Sequence, residues 1–169
     1  MNDKKLVALI ALILALAYPA YCCTCAFGKI KQKYCDADWV SHAKIVNLEI
    51  VNTTDHDDAF PYVQDVKYTI KFLKVFKYPE ELNSTALPTT VYTPAEDGLC
   101  GIFLDKGKEY LLSGSYYNGT MTTNLCLQIL FDDKHKSMEN DILLWAEVPK
   151  TTVADLTKKK HDPCPKRLI

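Results

Sequence analysis

A chain of 169 residues, 48% hydrophobic and 24% charged, has the length and composition of one globular domain. Its formal net charge of −1 excludes a whole-molecule electrostatic drive toward nucleic acid or an anionic membrane.

Lys4 and Lys5 precede an unbroken apolar run from Leu6 to Ala17, too short to cross a bilayer and followed at once by polar, cysteine-rich sequence. Residues 1–22 therefore read as a secretory signal peptide. Signal peptidase prefers small residues at −3 and −1, and cleavage after Cys22 puts Ala20 and Cys22 there, leaving Cys23 as the first residue of the mature chain. No later apolar run approaches the roughly 20 residues of a spanning helix, so a secreted product with no membrane span is expected. Loss of Cys22 takes seven cysteines to six: Cys23, Cys25, Cys35, Cys100, Cys126 and Cys164. In an oxidising compartment six cysteines imply three disulfides, and about 15 pairings stay open at this point.

The mature chain reads as mostly β. Residues 39–51 end in alternation, with Val46, Leu48 and Ile50 on the face expected to be buried and Asn47 and Glu49 on the other. "VKYTIKF" puts Val66, Tyr68, Ile70 and Phe72 on one face, and the phase breaks at "FLKVF", where a bulge or strand end is expected. "TTVYT" (89–93) is a third strand. Asn118-Gly119, the preferred pair for a two-residue type I′ turn, separates two strand-like arms. "SMENDILLWAEV" changes period, with Met138, Ile142 and Trp145 or Ala146 at helical spacing and Ser137 as N-cap, so a late helix is predicted. Five or six strands and a late helix suggest a small closed barrel of the OB type, although periodicity alone does not separate that from a sandwich. The sequons Asn52-Thr53-Thr54, Asn83-Ser84-Thr85 and Asn118-Gly119-Thr120 fall in predicted loops or turns and mark Asn52, Asn83 and Asn118 as glycosylation candidates.

Catalytic signatures are absent: the sequence has no H-E-x-x-H, G-x-S-x-G, P-loop or dinucleotide glycine pattern. His42, His56, His135 and His161 are scattered without metal-ligand spacing, and "DHDD" (55–58) lacks the glycine and distal glutamate of a calcium loop. "CCTC" invites a zinc or redox reading, but oxidised cysteines leave no thiolate to bind metal. The chain is read as a non-enzyme without an intrinsic cofactor.

"CTCAFGKIKQKYCDAD" (23–38) followed by "AKIV" (43–46) resembles the amino terminus of the tissue inhibitors of metalloproteinases: C-x-C, nine residues, a third cysteine, an acidic turn and an A-K-V-like strand. The likeness continues through "YTIKFLKVFK", "VYTPAEDGLCGIF" and "KEYLLSGSYYNGTMTTNLC", and in ending just after Cys164 the chain is similar to the single-domain nematode forms. The resemblance implies a netrin-like module, an OB-fold-like closed five-stranded barrel with flanking helices over residues 23–164, with a short tail at 165–169. It implies the disulfides Cys23–Cys100, Cys25–Cys126 and Cys35–Cys164.

It also implies a site. The amine and carbonyl of Cys23 would chelate the zinc of an extracellular metalloproteinase of the matrix or adamalysin type. Thr24 would enter the S1′ pocket, with Ala26 and Phe27 along the primed side and Glu96, Asp97, Gly98 and Leu99 along the unprimed side, and Cys23 and Cys25 would fuse these stretches into one wedge. Phe27-Gly28 and Lys29-Ile30-Lys31 stand where the family has a proline and His-Pro-Gln, which leaves a rival reading as a secreted netrin-like binding module for a receptor, growth factor or matrix. The basic tail "KKKHDPCPKR" (158–167) is a candidate contact for sulfated matrix polysaccharide, or a solvated surface run.

Overall fold

Five strands close into a barrel in the order β1-β2-β3-β5-β4 in the computed structural model, which describes residues 23, 25, 28–52, 64–82, 86–129 and 142–165. They are β1 (Trp39–Asn52), β2 (Gln64–Lys77), β3 (Thr90–Pro94), β4 (Glu109–Tyr117) and β5 (Thr120–Thr122), and all neighbours run antiparallel except β3 and β5. Two short helices, α1 (Ile30–Asp36) and α2 (Lys150–Thr157), flank the barrel. This is the OB-fold-like, disulfide-stabilised netrin architecture.

The alternation of β2 is realised in the fold. Val66, Tyr68 and Ile70 are buried and Phe72 packs beside them. Register then slips between Phe72 and Lys74 and again between Val75 and Lys77, so the phase break in "FLKVF" is a pair of bulges. The second bulge turns Phe76 to the opposite side of the wall, where it joins Tyr34, Val40, Leu111, Ile129, Val148 and Leu156 in a second core. Asn118 and Gly119 both adopt positive φ, 48° and 83°, as a type I′ turn requires, and pair Tyr117 with Thr120.

Three features depart from the sequence reading. Val46, Leu48 and Ile50 are exposed, at 47%, 42% and 65%. β4 pairs only with Trp39–Lys44, and after the irregularity between Ile45 and Asn47 β1 pairs with β2 alone, so this arm overshoots the barrel. Conversely, the start of β1 is buried on both faces: Trp39, Ala43 and Ile45 fill the barrel while Val40 faces the second core. The late helix is displaced. Residues 137–141 lie outside the described residues, and Ile142–Val148 is not an α-helix: Leu144 bridges to Tyr110 and Trp145–Glu147 is a single 3-10 turn. Pro149 is the reason, because it lacks an N–H and disfavours helical backbone at Val148, so the helix starts after it as α2.

The helix α1 gives no sequence signal. Seven residues are too few for a period, and its last carbonyls are capped from β2: Lys77 Nζ donates to the carbonyls of Tyr34 (2.9 Å) and Ala37 (2.6 Å). A lysine some forty residues away completes the helix.

Candidate functional site at the cysteine ridge

Three chain segments meet at one end of the barrel: the residues around Cys23 and Cys25, the connector after β3 (Ala95–Gly101), and the turn Leu125–Leu127. Disulfides Cys23–Cys100 and Cys25–Cys126 tie them, each with Cα atoms 5.0 Å apart. The four sulfurs lie within 4.8 Å of one another, Cys23 to Cys25 at 3.8 Å and Cys100 to Cys126 at 3.5 Å. Such a cluster has the dimensions of a thiolate metal site, but every sulfur is in an S–S bond and none is a thiolate donor. Cys25 is buried, whereas Cys23 stays partly accessible.

The connector is locally constrained. Pro94 ends β3, and a 3-10 turn over Asp97–Leu99 follows, closed by Leu99 N–H to the Glu96 carbonyl (3.1 Å). Cys100 turns back with φ 62°, and its carbonyl accepts from Leu125 N–H at 2.9 Å, joining connector to turn. Gly101 then passes so close to β3 that a Cβ there would sit 2.0 Å from the Pro94 carbonyl oxygen. Beyond it, buried hydroxyls fasten the chain to the barrel. Ile102 N–H donates to Thr93 Oγ1 (3.1 Å), Tyr68 Oη donates to the Ile102 carbonyl (3.1 Å) and accepts from Leu104 N–H (3.0 Å), and Tyr110 Oη accepts from Asp105 N–H (3.1 Å). Burial holds the phenols of Tyr68 and Tyr110 above their ordinary pKa, which favours the neutral hydroxyl in both.

The Cys126 turn has its own anchor. Gln128, 4% exposed, donates from Nε2 to Thr123 Oγ1 (2.7 Å), the Asn124 carbonyl (2.9 Å) and the Ser113 carbonyl (3.1 Å), while Asn124 Oδ1 accepts from Leu127 N–H. From the other side, Lys33 of α1 donates to the Cys126 carbonyl at 2.8 Å. Lys33 is 9% exposed, and only Cys126 gives its ammonium a described hydrogen bond.

Of the residues singled out from sequence, Cys23, Cys25, Glu96, Gly98 and Leu99 converge on this ridge, and Glu96, Gly98 and Leu99 are exposed. Asp97 lies on the same turn; its side chain, and Thr24, Ala26 and Phe27, lie outside what the structure describes. The third disulfide, Cys35–Cys164, ties α1 to the chain beyond α2 and contributes to the second core instead. Asn52 is exposed at the tip of β1, where Oδ1 accepts from Gln64 Nε2 (3.1 Å), and Asn118 is exposed in its turn; Asn83 lies outside the described residues. Sequence reasoning misses Thr93, Tyr68, Gln128 and Lys33, because each acts through a contact set by the fold. Lys33 and Cys126 are 93 positions apart.

The family described as tissue inhibitor of metalloproteinase matches residues 21–138. The chain is 33% identical over 130 residues to tag-225 of Caenorhabditis elegans, provisionally named a metalloproteinase inhibitor, covering 76% of this chain and 81% of that one. It is 34% identical over 118 residues to metalloproteinase inhibitor 2 of Canis lupus familiaris and 31% over 112 residues to metalloproteinase inhibitor 3 of Xenopus laevis. It spans 51% and 48% of those two vertebrate relatives.

Proposed function

Because this chain belongs to the tissue inhibitor of metalloproteinase family, we propose that it is a secreted inhibitor of zinc metalloendopeptidases acting through its first mature residue. Removal of residues 1–22 frees the α-amino group of Cys23. That nitrogen and the Cys23 carbonyl oxygen form a bidentate pair for the target's zinc, at the position a catalytic zinc keeps for its water. An α-amino group with a pKa of about 7.7–8.0 readily gives up its proton to solvent near neutral pH, leaving the neutral amine to bind a metal. Thr24 enters the S1′ pocket, Ala26 and Phe27 extend along the primed side, and Glu96, Asp97, Gly98 and Leu99 lie along the unprimed side. The Cys23 sulfur is not a ligand; its bond to Cys100 holds the terminus, so little freedom is lost on docking.

The observation that carries this reading is the tie from Cys23 to Cys100, directly after the exposed 96–99 turn, in a chain whose relatives are named as metalloproteinase inhibitors. The test is N-terminal sequencing of secreted protein with titration against a panel of matrix and adamalysin-type proteinases. A Cys23 start with stoichiometric inhibition is expected. One alanine added before Cys23 abolishes it, and Thr24→Gly weakens it by about 1–2 kcal/mol. Equal inhibition by the alanine-extended chain overturns the chelation. A free Cys23 terminus that inhibits none of the panel overturns the function and leaves the netrin-like binding module.

A further inference from the structure

Cys126 is held in the ridge by its sulfur, but its own turn leaves its carbonyl without a donor. In the single 3-10 turn Leu125–Leu127, Leu127 N–H bonds the Asn124 carbonyl and Gln128 N–H the Leu125 carbonyl, both at 3.2 Å. Among the described residues no backbone N–H reaches the Cys126 carbonyl, and the group that does is the Lys33 ammonium at 2.8 Å. A buried ammonium is costly without an acceptor, so the buried Lys33 needs this carbonyl as much as the carbonyl needs a donor.

The bond closes a ring. Cys25 is joined to Cys126 through sulfur, and Lys33, eight positions later in the chain, is joined to it through the carbonyl. The segment leading from the ridge into α1 is thus pinned at both ends to one residue. The stem of Lys33 runs back along this segment, since a Cβ on Gly28 would lie 3.4 Å from Lys33 Cε. The helix that carries the lysine is itself anchored: Tyr34 is buried in the second core and Lys77 caps the last carbonyls. The clamp therefore does not depend on Cys35–Cys164 alone.

We propose that Lys33 is a positioning residue for the ridge. Through the Cys126 carbonyl it fixes the segment that carries Ala26 and Phe27 and steadies Cys25, whose sulfur lies 3.8 Å from that of Cys23. This role rests on the reading of Cys23 as the inhibitory terminus. An open segment loses its alternative arrangements on docking, whereas a closed one has lost them beforehand. Lys33 meets no proteinase; it shapes the residues that do.

The experiment uses the full secreted chain and reads inhibition beside amide hydrogen exchange. Lys33→Met keeps the stem and removes the ammonium. Ile70→Ala, in the barrel core, supplies a comparable or larger loss of stability with the clamp intact. At a temperature where all the proteins are folded, Lys33→Met should raise the inhibition constant about 10-fold or more. Ile70→Ala should leave it within about 2-fold of wild type. Exchange at Leu127, Gln128 and the α1 amides should quicken in Lys33→Met by more than its lost global stability explains, and in Ile70→Ala by no more than that. Lys33→Gln, with a neutral donor too short to reach Cys126, carries the same expectations if Lys33→Met does not fold. An unchanged inhibition constant overturns the proposal, as does an equal rise in Ile70→Ala. If the wild type inhibits no proteinase of the panel, the functional reading fails by itself and exchange decides: a local excess sustains the clamp, and its absence overturns it.

Discussion

Gly101 is where a single atom decides the geometry of the ridge. A methyl at that position would need space held by the Pro94 carbonyl 2.0 Å away, and the obstacle is backbone, so the connector itself must move. Gly101→Ala is expected to shift Cys100 and, through the disulfide, Cys23. Stability should fall by about 1–3 kcal/mol and inhibition by a larger factor than stability explains, read from denaturant midpoints beside proteinase titrations. Lys33 belongs to the same scale. Lys33→Met keeps the packed stem and deletes the charged hydrogen bond to the Cys126 carbonyl, worth about 1.5–3 kcal/mol. The measurement is the same midpoint, and an unchanged value would mean that water replaces the ammonium without loss. Neither residue announces itself in the sequence: Gly101 reads as an ordinary loop glycine and Lys33 as one lysine among several in "KIKQK".

The elements show which parts of the fold local pattern can encode. β2, β3 and the Asn118-Gly119 hairpin are legible because alternation and turn chemistry are properties of neighbouring residues. The exposed arm of β1 is not, since its burial depends on where β4 stops pairing. The helices escape local reading for a related reason: α1 is completed by Lys77 from β2, and the boundary of α2 is set by Pro149 against a stretch whose spacing alone looks helical. The ridge is legible only through the resemblance, because six cysteines allow many pairings and spacing selects none. The docking of α2 gives a prediction. Leu156 is 1% exposed in the second core, and Leu156→Ala should cost about 2–4 kcal/mol in a denaturant titration. A change below 0.5 kcal/mol, on the order expected of a surface site, would mean that α2 contributes little to the folded state. Docking of α1 carries a pH signature. Burial, then the nearby Asp162 carboxylate, push the Tyr34 phenol up to about 12. An unfolded phenol ionises near pH 10, so this group's contribution is complete below that value and is lost as pH rises from about 10 toward 12. Denaturant midpoints across that window should fall less steeply for Tyr34→Phe than for the wild type.

For the molecule as a whole, the disulfides divide by role. They close separations of 77, 101 and 129 residues, and in the chain-entropy model each stabilises by about 4–5 kcal/mol, not additively. Cys35–Cys164 holds the second core together and bonds no ridge cysteine, reaching the ridge only through Lys33 of α1. A Cys35→Ser/Cys164→Ser protein should therefore unfold at markedly lower denaturant yet inhibit with wild-type affinity while folded. Cys23→Ser/Cys100→Ser should lose inhibition even where it remains folded. Parallel losses in both variants would show that the whole framework, and not one bond, positions Cys23.

The crowding of four sulfurs at the ridge bears on how this chain must be made. Exchanging partners among Cys23, Cys25, Cys100 and Cys126 requires only small movements, because all four sulfurs already sit within 4.8 Å. A shuffled isomer joining Cys23 to Cys126 and Cys25 to Cys100 would have the native mass and the same number of cross-links, with Cys23 displaced. Material refolded without a disulfide isomerase can thus pass every bulk assay of purity and still be inert. Peptide mapping of the cross-links belongs ahead of any measurement of potency.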